Sequence, residues 1–150
     1  MQVIEYAESA HTAGVGAVLG SLGWEQRYVD GQLGAVARLA LSSDGCVYVA
    51  TADGHVIGYV SAVLARWNML GQIHGLAVDP GARRGGVARA LVTAAEGYLR
   101  SHGARGVHVD TPVDNLLGRG FYEAMGFTQD YVMSRYYADD LDGVTYVRFY

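Results

Sequence analysis

The segment Arg83-Arg84-Gly85-Gly86-Val87-Ala88-Arg89 sets two adjacent glycines among three guanidinium groups. Its chemistry suits a pyrophosphate. Glycines reach backbone angles closed to other residues and carry no side chain to block a ligand, so successive amides can point at one anion. A helix opening near Val87 adds unpaired N–H groups and the positive end of its dipole. A guanidinium matches phosphate oxygens geometrically. The residues in front, Leu76-Ala77-Val78-Asp79-Pro80, read as the end of an apolar central strand followed by a turn.

Elimination narrows the phosphate ligand. The chain has no lysine, so the G-x-x-x-x-G-K-[ST] nucleotide loop is excluded. Gly85-Gly86-Val87-Ala88-Arg89-Ala90 also lacks the second and third glycines of a dinucleotide G-x-G-x-x-G loop. The pattern that fits is [QR]-x-x-G-x-[GA], as Arg83-x-x-Gly86-x-Ala88. Downstream, Asn115 to Phe127 follows N-x-x-A-x-x-[FL]-Y-x-x-x-G-F, except that Gly118 stands where alanine is usual. Glycines at 118 and 120 weaken a helix there by about 1 kcal/mol each relative to alanine. Together these segments resemble the GNAT superfamily of acyltransferases, well from Ile73 to about Tyr137 and in outline over the N-terminal third.

The resemblance implies acetyl-CoA as acyl donor, with Arg83, Arg84, Gly85, Gly86, Val87, Ala88 and Arg89 around its pyrophosphate. It implies that the fourth strand splays from the fifth, freeing backbone groups of Leu76, Ala77 and Val78 for the pantetheine arm. An amide of Leu76 or Val78 would then face the oxyanion. Tyr122 matches the family's general acid, which protonates the departing thiolate; packing beside Phe121 and Phe127 is the alternative. Asn115 matches a contact to the CoA arm, although an asparagine there is equally a helix cap.

A general base is harder to assign. Many relatives carry a glutamate on the fourth strand, where Ile73-His74-Gly75-Leu76 offers only His74. An imidazole near pKa 6.5 could take the amine's proton through water, or serve only a structural hydrogen bond. Asp110 and Glu25 are rivals, and a carboxylate-lined cleft with no dedicated base is a further option. For the acceptor, Trp24, Glu25 and Tyr28 could form an aromatic and acidic wall, with Tyr131, Tyr136 and Tyr137 opposite, and Asp110 at the end of the fifth strand is a further candidate contact. Asp139, Asp140 and Asp142 read more simply as a solvated turn. The five histidines have no metal-ligand spacing.

These groups need a scaffold, and the pattern predicts one α/β domain over residues 1–150. Strands are expected at Val3–Tyr6, Cys46–Thr51, His55–Ala65, Gly71–Val78, Gly106–Asp110, Phe127–Tyr137 and Val144–Tyr150. Helices are expected from Glu8 to Leu22 with Ser9 or a nearby acid as cap, Asp30 to Leu41, Val87 to His102 and Asn115 to Met125. Ala52-Asp53-Gly54 and Leu141-Asp142-Gly143 read as turns. On the third helix, Val87, Leu91, Ala94, Ala95, Tyr98 and Leu99 share the apolar face, while Glu96 points elsewhere. The result is a mixed, mostly antiparallel sheet of about seven strands flanked by about four helices, in the GNAT order.

A net charge of −4 and dispersed arginines argue against a nucleic-acid partner. The lone Cys46 excludes an internal disulfide and reads as core filling. No stretch is long and apolar enough to cross a membrane, so a cytoplasmic protein is expected. Unpaired terminal strands leave a homodimer open. The function read from these residues is acetylation of a primary amine on a small molecule. The alternatives are acetylation of a protein or peptide N-terminus and a non-catalytic acyl-CoA-binding module.

Overall fold

The computed structural model describes residues 1–150. Seven strands, β1 (Gln2–Glu5), β2 (Gly45–Ala52), β3 (His55–Ala65), β4 (Leu70–Val78), β5 (Gly106–Pro112), β6 (Thr128–Ala138) and β7 (Leu141–Phe149), form one sheet in the order β1-β2-β3-β4-β5-β7-β6. All neighbours run antiparallel except β4 and β5. Helices α1 (Glu8–Gly20) and α2 (Gln26–Leu41) cover one face, and α3 (Val87–Ser101) and α4 (Leu116–Ala124) the other. Each face has its own core: Val15, Leu19 and Val36 pack on Val49 and Tyr59, while Leu91, Val92 and Leu99 pack on Val60, Ile73 and Val107. No helix is long and apolar enough to cross a membrane.

Local chemistry explains most boundaries. Asp53 and Gly54 both take positive φ (51° and 77°), the geometry that a two-residue hairpin between right-twisted strands requires. Helix α2 begins at Gln26, four residues before the expected start at Asp30. Val29 is the reason: with Val36 and Leu39 it lies on the buried face, so the first turn is needed to complete the apolar stripe. Ser9 does not cap α1; the cap position is Ala7, whose amide donates to His11 Nδ1 at 2.9 Å.

Two expectations fail at the C-terminal end. Leu141-Asp142-Gly143 opens β7 rather than turning before it, and the reversal falls at Asp139-Asp140. Asp142 and Gly143 have other tasks, described below. On α3 the buried face includes Val92 and Glu96 in place of Ala94 and Tyr98, which are half-exposed. Glu96 is buried because Arg148 and Tyr150 satisfy it: Nε and Nη2 of Arg148 each donate to one carboxylate oxygen, and the Tyr150 hydroxyl donates at 2.7 Å.

That pair fastens the C-terminus to α3, and removing one partner leaves the other stranded. Arg148→Met is expected to cost about 3 kcal/mol, because the carboxylate stays buried with only a phenol to bond it. Urea unfolding monitored by circular dichroism would show the midpoint shift, and an unchanged midpoint would refute it.

Two features of the sheet create a cleft. Pairing of β4 with β5 stops at Ile73 with Val109, although both strands continue. On the other side of β4 the register with β3 passes from Gly75–Ser61 to Ile73–Ala62, so His74 is the extra residue of a bulge. The bulge and the end of pairing coincide, and beyond them β4 and β5 diverge.

Candidate active site

The last residues of β4 lead from this gap into the glycine-arginine loop. Asp79 fixes the exit: its amide bonds Ile57 O at 2.8 Å, and its carboxylate accepts the Gly81 amide at 2.8 Å. Pro80 then opens a short 3-10 turn. Past it, Arg84 (φ 68°) and Gly86 (φ 77°) both take the left-handed conformation. Alternation of left- and right-handed residues turns successive amides inward into a concavity for an anion. For Arg84 this conformation costs on the order of 1 kcal/mol, strain of the kind stored at ligand sites.

Gly86 is the N-cap of α3, and no side chain caps that helix. The first bond of the helix is Ala90 N to Gly86 O, so the amides of Val87, Ala88 and Arg89 have no acceptor in the protein. Buried Val87 anchors the turn, while Arg83, Arg84, Gly85, Gly86 and Arg89 are exposed. Arg83, Arg84 and Arg89 take part in none of the three ion pairs, Glu25–Arg27, Asp44–Arg66 and Glu96–Arg148. Unpaired amides, a helix N-terminus and free guanidinium groups therefore converge on one exposed point. A pyrophosphate fits this cradle.

Beside the loop, Leu76, Ala77 and Val78 pair with Val60, Tyr59 and Gly58 on β3 and with nothing on the β5 side. Asp79 bonds Ile57 on β3, so by alternation the backbone groups of Ala77 also point to β3, and those of Leu76 and Val78 face the gap, open to an extended ligand. Ala77 is buried in the core under α1 and α2, and Leu76 and Val78 pack on the opposite core, so side chains here serve the fold.

Tyr122 sits on α4 with its ring held on three sides by Phe121, Phe127 and Tyr146, at centroid distances of 5.2, 5.6 and 6.1 Å. Packing and an acid role are therefore compatible. Its hydroxyl has no protein partner, and the one wholly buried unpartnered side-chain atom is Ser61 Oγ. Tyr122 Oη consequently keeps some contact with solvent. Burial raises its pKa, so the phenol stays protonated.

Asn115 is committed to the fold. Its Oδ1 accepts the Gly118 amide at 3.1 Å, and its Nδ2 donates to Thr111 at 2.9 Å, leaving one amide proton for any ligand. The same geometry explains Gly118: a Cβ there would lie 2.4 Å from Asn115 Nδ2, so alanine would push the cap aside.

His74 is exposed at the bulge. Partial burial, then the positive charge of Arg38 on α2, lower its pKa, so the imidazole is neutral at physiological pH and ready to accept a proton. Asp110 is the first residue of β5 beyond the last pair with β4, so it lines the gap, half-buried, opposite Thr145 of β7. Thr145, whose hydroxyl donates to the Asp110 carboxylate, is a contributor the sequence reading missed.

The structure separates the other expected acceptor residues. Tyr28 reaches the site, donating its hydroxyl to Tyr137 O at 2.7 Å. Glu25 turns to Arg27, at 3.1 Å on the surface, and the same guanidinium lies 4.6 Å over the Tyr28 ring. The charge of Glu25 is thus already balanced by the protein. Trp24 is exposed in the loop before α2. Cys46 is buried, and burial pushes its thiol up to about 12, which makes it unreactive.

Comparisons with known proteins agree with this geometry. The chain is 32% identical over 104 residues to an uncharacterized N-acetyltransferase of Methanocaldococcus jannaschii, covering 69% of this chain and 65% of that protein. It is 32% identical over 77 residues to N-alpha-acetyltransferase 30 of Schizosaccharomyces pombe, covering 51% of each. It thus spans about two thirds and half of these relatives. Among solved structures, an aminoglycoside 6'-N-acetyltransferase complexed with coenzyme A superposes with a TM-score of 0.82, covering 99% of this chain and 97% of that one at 15% identity, a likeness of fold. The model of the acetyltransferase (GNAT) family matches residues 15–127, and the chain belongs to that family.

Proposed function

We propose that this protein transfers the acetyl group of acetyl-CoA to a primary amine by direct attack. The observation that supports the reading is the unpaired edge of β4 beyond Ile73, which runs directly into a loop whose amides and guanidinium groups are unpartnered. Acetyl-CoA supplies an activated acyl group. The amides of Gly85 to Arg89 and the guanidinium groups of Arg83, Arg84 and Arg89 hold its pyrophosphate. Gap-facing groups of Leu76 and Val78 bond the pantetheine arm, and one of these amides meets the carbonyl oxygen as it gains charge. The remaining amide proton of Asn115 is available to the same arm.

As the amine nitrogen bonds the carbonyl carbon and the carbon–sulfur bond breaks, Tyr122 gives its proton to sulfur. His74 takes the proton that the amine loses, through one water. Its lowered pKa places the acid limb of kcat/KM below pH 6.5: activity holds until the imidazole protonates, then falls. His74→Gln should lower the rate about tenfold and abolish that limb, a smaller effect than for a directly placed base because water relays the proton. A limb that persists in His74→Gln would move the base role to Asp110 or to solvent.

The direct test is CoA release from acetyl-CoA with a panel of amines, followed with a thiol reagent. Since Cys46 is buried as a thiol, a protein-only control should stay flat. Acceptor-dependent release supports the reading, and acetyl-CoA binding without release to any amine would favour a non-catalytic acyl-CoA-binding role. The relation to N-alpha-acetyltransferase 30 supports a second reading, in which the amine is a peptide N-terminus entering between β4 and β5.

A further inference from the structure

The acceptor side of the cleft is built more elaborately than the sequence suggests. Between Met133 and Ala138, β6 leaves its ladder with β7. Arg135, in that interval, takes φ 57°, and its amide is pinned by Asp142 Oδ1 at 2.9 Å. A non-glycine residue held in this conformation stores strain that the surroundings must offset. Gly143 is part of that support: a Cβ there would lie 3.0 Å from the ring of Tyr136, so only a bare Cα lets the ring settle across β7.

The departure of β6 brings its tyrosines onto Asp110. The Asp110 carboxylate accepts from Thr145, and Tyr136 lies close enough for that carboxylate to raise the pKa of its phenol, after burial. Half-buried Tyr137 lies near Asp110, Tyr136, Tyr122 and Tyr28, and burial, then the Asp110 carboxylate, raise the pKa of its phenol. Tyr28 ties α2 to this group through Tyr137 O. Asp110 belongs to none of the chain's ion pairs, and the side chain that bonds it is the neutral Thr145 hydroxyl. A half-buried carboxylate bonded by a neutral donor, with the phenols of Tyr136 and Tyr137 near it, lacks one thing, a cation.

We propose that Asp110 anchors the ammonium of the acceptor, and that the acceptor is a small primary alkylamine with an apolar or aromatic body and no carboxylate beside its nitrogen. This rests on the acetyl-transfer reading. The carboxylate captures the charged amine, the tyrosines pack its body, and a second negative charge next to the nitrogen is repelled by Asp110. One N–H proton of the ammonium then leaves through water, and the freed lone pair forms the carbon–nitrogen bond.

Phenethylamine and phenylalanine make the test, because they share ring and ammonium and differ by one carboxylate. With acetyl-CoA present, phenethylamine should be acetylated with a kcat/KM at least tenfold above that of phenylalanine. Asp110→Asn should raise the KM for phenethylamine roughly 30-fold and shrink the discrimination, with the KM for acetyl-CoA unchanged. Tyr136→Phe, which keeps the ring, should raise the same KM several-fold and guards against a folding defect in the first variant. Equal use of the two amines would overturn the proposal. So would an unchanged KM in Asp110→Asn, or no turnover of either amine by protein that binds acetyl-CoA. Failure of the wild-type protein to bind acetyl-CoA, read by calorimetry before any amine is added, would instead sink the acetyl-transfer reading beneath it.

Discussion

Gly86→Glu should abolish acetyl-CoA binding while leaving the protein folded. Two effects add at one position. Gly86 has φ 77°, so any side chain there costs about 1–2 kcal/mol in backbone strain. The larger effect is electrostatic: a carboxylate at the N-cap of α3 occupies the point where the amides of Val87, Ala88 and Arg89 converge. It can take the amide bonds that a pyrophosphate needs and repels what remains. The fold should survive, because a Cβ at Gly86 meets no heavy atom within 4 Å. Together these should weaken affinity on the order of 10³-fold, set by lost charge-assisted hydrogen bonds. Gly86→Ala carries only the strain and should lose about tenfold. Calorimetry on both variants checks the difference, and tight binding by the glutamate variant would refute the placement of the pyrophosphate.

That loop was legible in the sequence because its chemistry is local: glycines, arginines and the helix start are consecutive, and each acts through its own backbone or side chain. The sheet was legible for the same reason, since alternation and the Asp53-Gly54 turn are short-range signals. The misreadings share an opposite cause. Asp142-Gly143 has turn chemistry, yet the structure spends the aspartate on the Arg135 amide and the glycine on the ring of Tyr136. Glu96 looks solvent-facing on its helix until Arg148 and Tyr150, more than fifty residues away, close over it. Long-range partners decided both cases.

The acceptor side was half legible. Asp110 and the tyrosines were visible as residue types, but nothing local indicates that β6 breaks its ladder with β7 in the stretch that carries Tyr136 and Tyr137. Glu25 shows the converse. It was an equally good acidic candidate, and the fold turns it toward Arg27 on the surface. Which of two carboxylates remains free is a property of the folded chain.

The same reasoning gives Tyr122 a sharp test. Tyr122→Phe should lower kcat by about 10²-fold or more, within the range for a positioned acid, with acetyl-CoA affinity within about twofold of wild type. The ring makes the packing contacts with Phe121, Phe127 and Tyr146, and phenylalanine preserves them. The hydroxyl makes no bond to the protein, so its removal strands no partner and should leave thermal stability unchanged. What is lost is a proton held by burial until a thiolate forms beside it. The loss should therefore depend on the leaving group: an acyl donor whose thiol is already acidic needs no protonation and should lose little in Tyr122→Phe. Wild-type turnover in Tyr122→Phe would return the residue to the core, and an equal loss with both donors would show that the hydroxyl acts on something other than sulfur.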